Sequence, residues 1–346
     1  MADQDVARDS SYTRPAPCAD GRAQTARHMT TWGLVSTIRA PRRDVLDFAA
    51  WHLDLGAHRL FIHLDETDPG TFAILKAHPR IRPLTTDAAY WEATGKPRPE
   101  KHQARQTRNA TRTYRRRADV DWLGHIDVDE FLIPDAPVET LLAALPADCH
   151  VARLRPMEAL APDAPGADHW NFKMLTLDRK ARRQQAPVIW PTYGPYLDGG
   201  FLSHVAGKIL VRTGLPGAEF RIHNILTELG ENPGAVELST LALAHLHATD
   251  WAQWRAHYRF RHERGSYRAG LKPNRPVDQG GLSMHDLLAT IEAKGGEPAL
   301  RHFFDEVCAA TPGHLDRLAR DGLLRRVKLP LDAVREKHFP GALASA

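Results

Sequence analysis

The chain has 346 residues with 42% hydrophobic content, ample for one large α/β domain or two smaller ones and enough to exclude global disorder. No apolar run approaches the roughly 20 residues of a membrane-spanning helix. The net charge is only +4, but the basic residues cluster, which favours anionic partners such as phosphates, nucleotides, lipid headgroups or nucleic acid.

Three cysteines, Cys18, Cys149 and Cys308, are widely spaced. They make neither a disulfide framework nor a zinc motif and suit a reducing compartment. Residues 1–30 lack periodicity and read as a flexible arm without the apolar stretch of a secretory signal. The expected location is therefore cytoplasmic, with peripheral contact at the inner face of the membrane as a further expectation.

From Thr31 to Ile38 the sequence predicts a short apolar strand. Asp44 to Leu55 carries helical spacing (Val45, Leu46, Phe48, Ala49, His52, Leu53) and ends at Gly56, a C-cap residue. A second strand, Arg59 to Leu64, closes on the acidic loop Asp65-Glu-Thr-Asp-Pro-Gly70. A short helix from Thr71 to Ala77 and a third strand from Ile81 to Leu84 follow. Residues 100–117 form a basic helix bearing Lys101, Arg105, Arg108, Arg112, Arg115, Arg116 and Arg117, read as a solvated face or as a surface for membrane or an acidic acceptor.

Next comes Trp122-Leu-Gly-His-Ile-Asp-Val-Asp-Glu-Phe-Leu-Ile133, the most informative segment. On an extended backbone, residues two apart point to one side. Asp127 and Asp129 then face one pocket while Val128 and Glu130 face away. Adjacent carboxylates repel and raise each other's pKa unless a cation lies between them. Mn²⁺ or Mg²⁺ takes such oxygen ligands and bridges to phosphate. Asp127 and Asp129 are thus the candidate metal ligands, with Asp127 also able to reach a ribose or a metal-bound water.

After Pro134 the pattern loosens. A helix is expected from Val138 to Leu145 and a strand from Val151 to Leu154. Residues 156–200 read as irregular, and strands are expected at Lys208 to Arg212 and Leu241 to His247. A basic, aromatic helix (Trp251 to Tyr267), a proline/glycine loop (270–281) and helices at 283–294, 297–309 and 313–325 complete the chain. Strands alternating with helices predict an α/β fold with a doubly wound, mostly parallel sheet flanked by helices. Ligands bind such sheets at the carboxyl ends of the strands, where the acidic loop and the Asp pair both fall. The domain reading is an arm (1–30), a catalytic α/β domain (31–268) and a loop with a helical C-terminal extension (269–346).

With these residues in place, the chain resembles bacterial glycosyltransferases of the family 2 type, in the branch whose acidic motif reads Asp-Val-Asp-Glu-Phe. The likeness spans roughly residues 32–268. It is carried by Ser36-Thr37-Ile38-Arg39, Trp51-His52-Leu53-Asp54-Leu55-Gly56, the loop Asp65 to Gly70 and Asp127-Val-Asp129. Later landmarks are Gly207-Lys208, His223, His245-Leu-His247 and Arg264-Gly265. Ala40-Pro41 stands where relatives read Asn-Glu, and Leu246-His247 where a His-Tyr pair is common.

The resemblance implies a GT-A, Rossmann-like fold, a nucleotide-diphosphate sugar donor and a divalent metal. It implies donor contacts from Thr37, Arg39, Asp65, Asp68, Asp127 and Lys208, and His245 completing the metal shell. It further implies inverting transfer to a hydroxyl of a cell-surface glycan or lipid-linked precursor, as in polysaccharide biosynthesis. An inverting transfer needs a carboxylate base. Glu158, Asp163, Asp198 and Glu228 lie in the half expected to bind acceptor, and Asp198 is selected among them. One rival is a sugar nucleotidyltransferase, against which Thr37-Ile-Arg-Ala-Pro41 holds no glycine. The other is an anion- or nucleic-acid-binding module using the basic helices, which leaves the acidic pair unexplained.

Overall fold

The computed structural model describes residues 29–344, save 67, 117, 163–168, 264–266, 268–272 and 274–280. The expected N-terminal arm up to residue 28, Asp163, Arg264-Gly265 and nearly all of the loop 270–281 lie outside the described residues.

The chain begins β1 (Trp32–Ile38), α1 (Arg42–Asp54), β2 (Arg59–Leu64), α2 (Pro69–Ala77) and β3 (Ile81–Thr85). Helices α3 (Ala88–Ala93) and α4 (His102–Arg115) lead to β4 (Trp122–His125) and β5 (Glu130–Pro134). Then come α5 (Val138–Ala143), β6 (Val151–Leu154), β7 (Pro156–Leu160), β8 (His169–Lys173), α6 (Arg179–Ile189) and β9 (Lys208–Arg212). Short strands β10 (Glu219–Phe220), β11 (Ile225–Thr227), β12 (Gly230–Glu231) and β13 (Ala235–Glu237) precede β14 (Leu241–His245). The chain closes with α7 (Trp251–Glu263), α8 (Met284–Val307), α9 (Pro312–Arg320), β15 (Leu324–Lys328) and α10 (Leu331–His338).

Seven strands form the main sheet in the order β13-β6-β9-β4-β1-β2-β3. The segment β4-β1-β2-β3 is parallel throughout, so the expected parallel-rich α/β fold is present. Strand β1, flanked by β4 and β2, is buried along its whole length, as a strand with helices on both faces must be. Helix α1 packs its apolar stripe into the same core as Trp32, Leu60 and Trp122, and Gly56 leaves it at a φ of 93°, a conformation open to glycine. Asp68 caps α2 by accepting the Gly70 N–H at 3.0 Å, with Pro69 in the first turn.

Three expectations need correction. The run 122–133 is not one strand. It leaves the main sheet after His125, turns where Glu130 N–H donates to the Asp127 carbonyl at 3.1 Å, and enters a second, five-stranded sheet as β5. The region 156–200 is not irregular, because β7, β8 and α6 lie in it. Strand β7 is buried at every position, so it shows no alternation to read. Residues 313–325 are not all helix: α9 stops at Arg320, and β15 pairs antiparallel with β8. The separate helices expected at 283–294 and 297–309 correspond to α8, which is broken at Gly296, where φ is 59°. Among the described residues no helix is long and apolar enough to cross a membrane.

The C-terminal stretch is built into the rest. Strand β15 extends the second sheet, and α10 packs on α1, where Arg335 holds the buried Asp47. Lys173 of β8 is almost wholly buried, pairs with Glu158 at 3.1 Å and donates to the Val307 carbonyl at 2.9 Å.

Candidate active site

A cavity of about 470 Å³ opens at the carboxyl ends of β1 and β4. Strand directions explain its composition. Parallel β1 and β4 end together, delivering Thr37, Arg39 and the turn Asp127-Val128-Asp129. Strand β9 runs antiparallel to β4, so its first residue, Lys208, arrives where β4 finishes. Strand β14 runs antiparallel to β5 with His245 opposite Glu130, so its last residue meets the first residue of β5. The next bend brings His247 to the same wall.

Both acidic residues line this cavity, but a turn places them there rather than strand alternation, and each has its own partner. Asp127 accepts from Lys208 Nζ at 2.8 Å and from the Gln106 side chain on α4. Asp129 lies 3.3 Å from His245 Nε2. Glu130 does not face away: its carboxylate accepts the Asp127 N–H at 2.7 Å and lies 3.5 Å from Lys208 Nζ. Lys208 is therefore a buried ammonium between two carboxylates, only 2% of its side chain exposed.

Gly207 makes the arrival of Lys208 possible. Its φ is 71°, and an added Cβ would lie 1.9 Å from the Leu154 carbonyl oxygen.

The electrostatics follow from these pairings. Burial works against the charge on Asp127, yet Lys208 holds its carboxyl far below the usual range. Burial also opposes the Lys208 charge, but Asp127 and Glu130 outweigh it and raise its pKa. Burial raises Glu130, with Lys208 opposing and Asp127 adding. For His245, burial favours the neutral ring, but Asp129, Glu130 and Glu158 prevail and push it up to about 9. His247 is held neutral, first by burial and then by Arg261.

The ligand atoms of Asp129, His245 and His247 lie within 4.8 Å of one another. One carboxylate oxygen and two imidazole nitrogens suit a borderline divalent ion such as Mn²⁺. Asp129 carries the negative charge that a cation would meet, and the His245 proton now satisfies it. A cation and that proton compete for one place, so the donor set fits a divalent ion. Asp127 is not part of this trio, because Lys208 and Gln106 hold its oxygens.

Thr37 is buried and its hydroxyl accepts from Asn109 at 3.0 Å. Arg39 lines the cavity and pairs with Glu66 at 2.8 Å. The Asp65 side chain is fully buried against Arg105 at 2.7 Å and Arg98 at 3.1 Å, so Arg105 belongs to this internal pair and not to a solvated face. The Asp68 carboxylate is taken up by the cap of α2 and by Arg42. Neither aspartate lines the cavity. Asp198 pairs with Arg182 at 2.6 Å, also outside it. Glu158 is buried against Lys173, and Glu228 packs beside Gly217. His223 lines the cavity, contacts the Gly207 carbonyl at 2.7 Å and stacks on His204.

Sequence reading missed Gln106, Asp44 and His257, all on the cavity wall. The inward polar face of α4 (Gln106, Asn109, Thr113) was a usable signal, because these polar residues recur at helical spacing. Asp44 opens to solvent by surface area. Desolvation by the surrounding protein nevertheless raises its pKa, with Arg43 opposing and Asp129 adding.

No protein-family model and no curated protein matches the sequence. Solved structures give distant likenesses. The galactosyltransferase LgtC, in complex with donor and acceptor sugar analogues, is 14% identical over 52% of this chain and 57% of its own, with a TM-score of 0.26. The mannosyltransferase Ktr4p from S. cerevisiae is 13% identical over 39% of this chain and 41% of its own, with a TM-score of 0.24. For the bifunctional glycosyltransferase WbbM the values are 13%, 38% and 24%, with a TM-score of 0.24. The chain thus spans about a quarter of WbbM and just over half of LgtC. At such identities and scores these likenesses carry no argument about activity.

Proposed function

We propose that this protein is a metal-dependent glycosyltransferase of GT-A type. It moves a sugar from a nucleotide-diphosphate donor to a hydroxyl of a glycan or lipid-linked precursor, with inversion. The observation that carries this reading is the Asp129, His245 and His247 trio beside the Asp127 turn, at the carboxyl ends of parallel strands and inside one cavity. This is where a doubly wound sheet binds its ligand.

A divalent ion held by the trio would supply positive charge opposite the departing diphosphate. The protein's own groups set the rest. Lys208 and Gln106 fix the Asp127 carboxylate from two sides, leaving its orientation determined before a donor arrives. Thr37 and Arg39 border the same wall. Burial of Lys208 strengthens its pairing with Asp127 relative to water.

Calorimetric binding of UDP and GDP, with and without Mn²⁺, to wild type and Asp129→Ala tests the reading. Metal-dependent binding that disappears in the variant supports it and names the base. If neither nucleotide binds with metal present, CDP and dTDP are tried, and failure of all four refutes it. Metal-independent, salt-sensitive binding that survives the substitution favours the anion-binding alternative. That alternative has one feature of its own, a groove of about 540 Å³ lined by Arg108, Arg112, Arg115 and Arg116.

A further inference from the structure

A second cavity, of about 480 Å³, lies on the other side of the Val128-Asp129 turn. It shares Asp44, Val128, Asp129, Leu246 and Gln253 with the cavity already described. Its apolar wall is Phe131, Trp170, Leu246, Leu329 and Leu331. Its rim is polar and acidic. An apolar surface with a few convergent polar groups suits a sugar ring, which has a C–H face and a hydroxyl edge.

Most rim charges are already matched. Asp332 pairs with Arg43 at 2.6 Å and with Arg335. Asp47 is held by Arg335. Asp250 accepts the Gln253 N–H at 2.7 Å at the start of α7. Asp129 faces His245. Among the described residues lining this cavity, Asp44 is the carboxylate with no hydrogen bond or ion pair. It also stands at the boundary of both cavities.

We infer that this second cavity is the acceptor subsite, that it takes an uncharged sugar, and that Asp44 is the catalytic base. This inference rests on the glycosyltransferase reading and adds to it the acceptor class and the proton-accepting residue. Acidic sugars are disfavoured, because Asp44 and Asp250 would face them while Arg43 is already neutralised.

The acceptor hydroxyl oxygen forms a bond to the anomeric carbon of the donor. The bond from that carbon to the diphosphate oxygen breaks, and the diphosphate leaves with the electron pair. The hydroxyl proton passes to the Asp44 carboxylate. Asp44 replaces Asp198 in this role, because Asp198 is engaged by Arg182 outside both cavities.

The test has two arms and one control. Methyl glycosides of glucose, galactose, mannose and N-acetylglucosamine are screened by saturation-transfer NMR against wild type, Trp170→Ala and Thr249→Trp, the last filling the cavity. At least one glycoside is expected to bind wild type, and both variants to lose it while keeping metal-dependent nucleotide binding within twofold. Asp44→Asn is then assayed with that glycoside and the nucleotide sugar selected by binding. A fall in kcat of about 100-fold or more is expected, with KM for the glycoside within threefold. Glycoside binding that survives both cavity variants, or no glycoside bound by a protein that does bind nucleotide, overturns the acceptor assignment. An unchanged kcat in Asp44→Asn overturns the base. Absence of metal-dependent nucleotide binding in wild type instead overturns the underlying reading, so the two failures are distinguishable.

Discussion

Lys208→Met is the perturbation that most directly tests the electrostatic design of the site. Methionine keeps the length and apolar body of lysine and removes the ammonium. The native Nζ lies 2.8 Å from Asp127 and 3.5 Å from Glu130. Glu130 has 6% of its side chain exposed and Asp127 31%. Removing one partner of a buried pair costs about 3–5 kcal/mol, because the remaining charge stays buried. The open third of Asp127 lets water screen part of that loss, so the lower end, about 3 kcal/mol, is expected. Urea denaturation at pH 7.5 measures it as a lower midpoint with an unchanged slope. Glu130→Gln in the same background removes the second buried charge, and Lys208→Met/Glu130→Gln should recover roughly 1–2 kcal/mol of the loss. A single variant within about 0.5 kcal/mol of wild type would refute the reasoning. So would strict additivity in the double variant.

Three further outcomes follow from the same geometry. Gly207→Ala should cost more than about 2 kcal/mol, because its φ is 71° and the new Cβ would strike the Leu154 carbonyl; thermal unfolding reads it, and a change below about 1 kcal/mol contradicts it. Lys173→Met, which strands Glu158 in the core and frees the Val307 carbonyl, should cost about 3–5 kcal/mol. Pairing it with Glu158→Gln, which removes the charge but can still accept the Leu202 and Ser203 N–H groups, should recover more than half, as judged by urea midpoints. The third outcome concerns acid. Burial pushes His52 down to about 3 and His63 and His314 down to about 4. Their folded values lie below the unfolded value of about 6.5, so the unfolded chain takes up more protons below that pH. The contribution of these three rings is full above pH 6.5 and falls toward pH 4, by roughly 1 kcal/mol per pH unit for each ring. Urea midpoints that do not move between pH 7 and pH 5 would contradict this.

The parallel half of the fold was legible because its signals are local. The apolar runs of β1, β2 and β3, the stripe of α1 and the Gly56 stop each lie within one element. The second sheet was legible only in part: β14 was expected, but β7, Pro156-Met-Glu-Ala-Leu160, is buried at every position and shows no alternation, while β8 and β15 are short and mostly polar. The site divides in the same way. Asp127 and Asp129 stood out through two acids in an apolar run. The partners that decide their roles, Lys208 for Asp127 and His245 with His247 for Asp129, arrive from strands more than eighty residues away. Asp65 and Asp68 illustrate the converse. Acidic loops at strand ends look like ligand contacts in sequence, but here Arg105 and the α2 cap occupy them.

The separation of charge between the two aspartates is the feature with most consequence for function. Two carboxylates in one turn would normally titrate as a repelling pair. Here the junction of two sheets gives them unlike neighbours. Asp127 lies on the side of the main sheet and is neutralised by a lysine from β9, whose loss would leave the Asp127 and Glu130 carboxylates facing each other without a cation. Asp129 lies on the side of the second sheet and is met only by a histidine whose proton is exchangeable. Asp129 raises the pKa of His245 most, and the register that sets His245 opposite both Glu130 and Glu158 adds to it. A permanent cation on one acid and a replaceable one on the other fits the proposed reading, in which a divalent ion would bind at Asp129. Exchanging the two arrangements would require exchanging the sheets. The asymmetry of the cavity, with the Lys208–Asp127 pair on one side of the turn and the His245–Asp129 pair on the other, is therefore a property of topology.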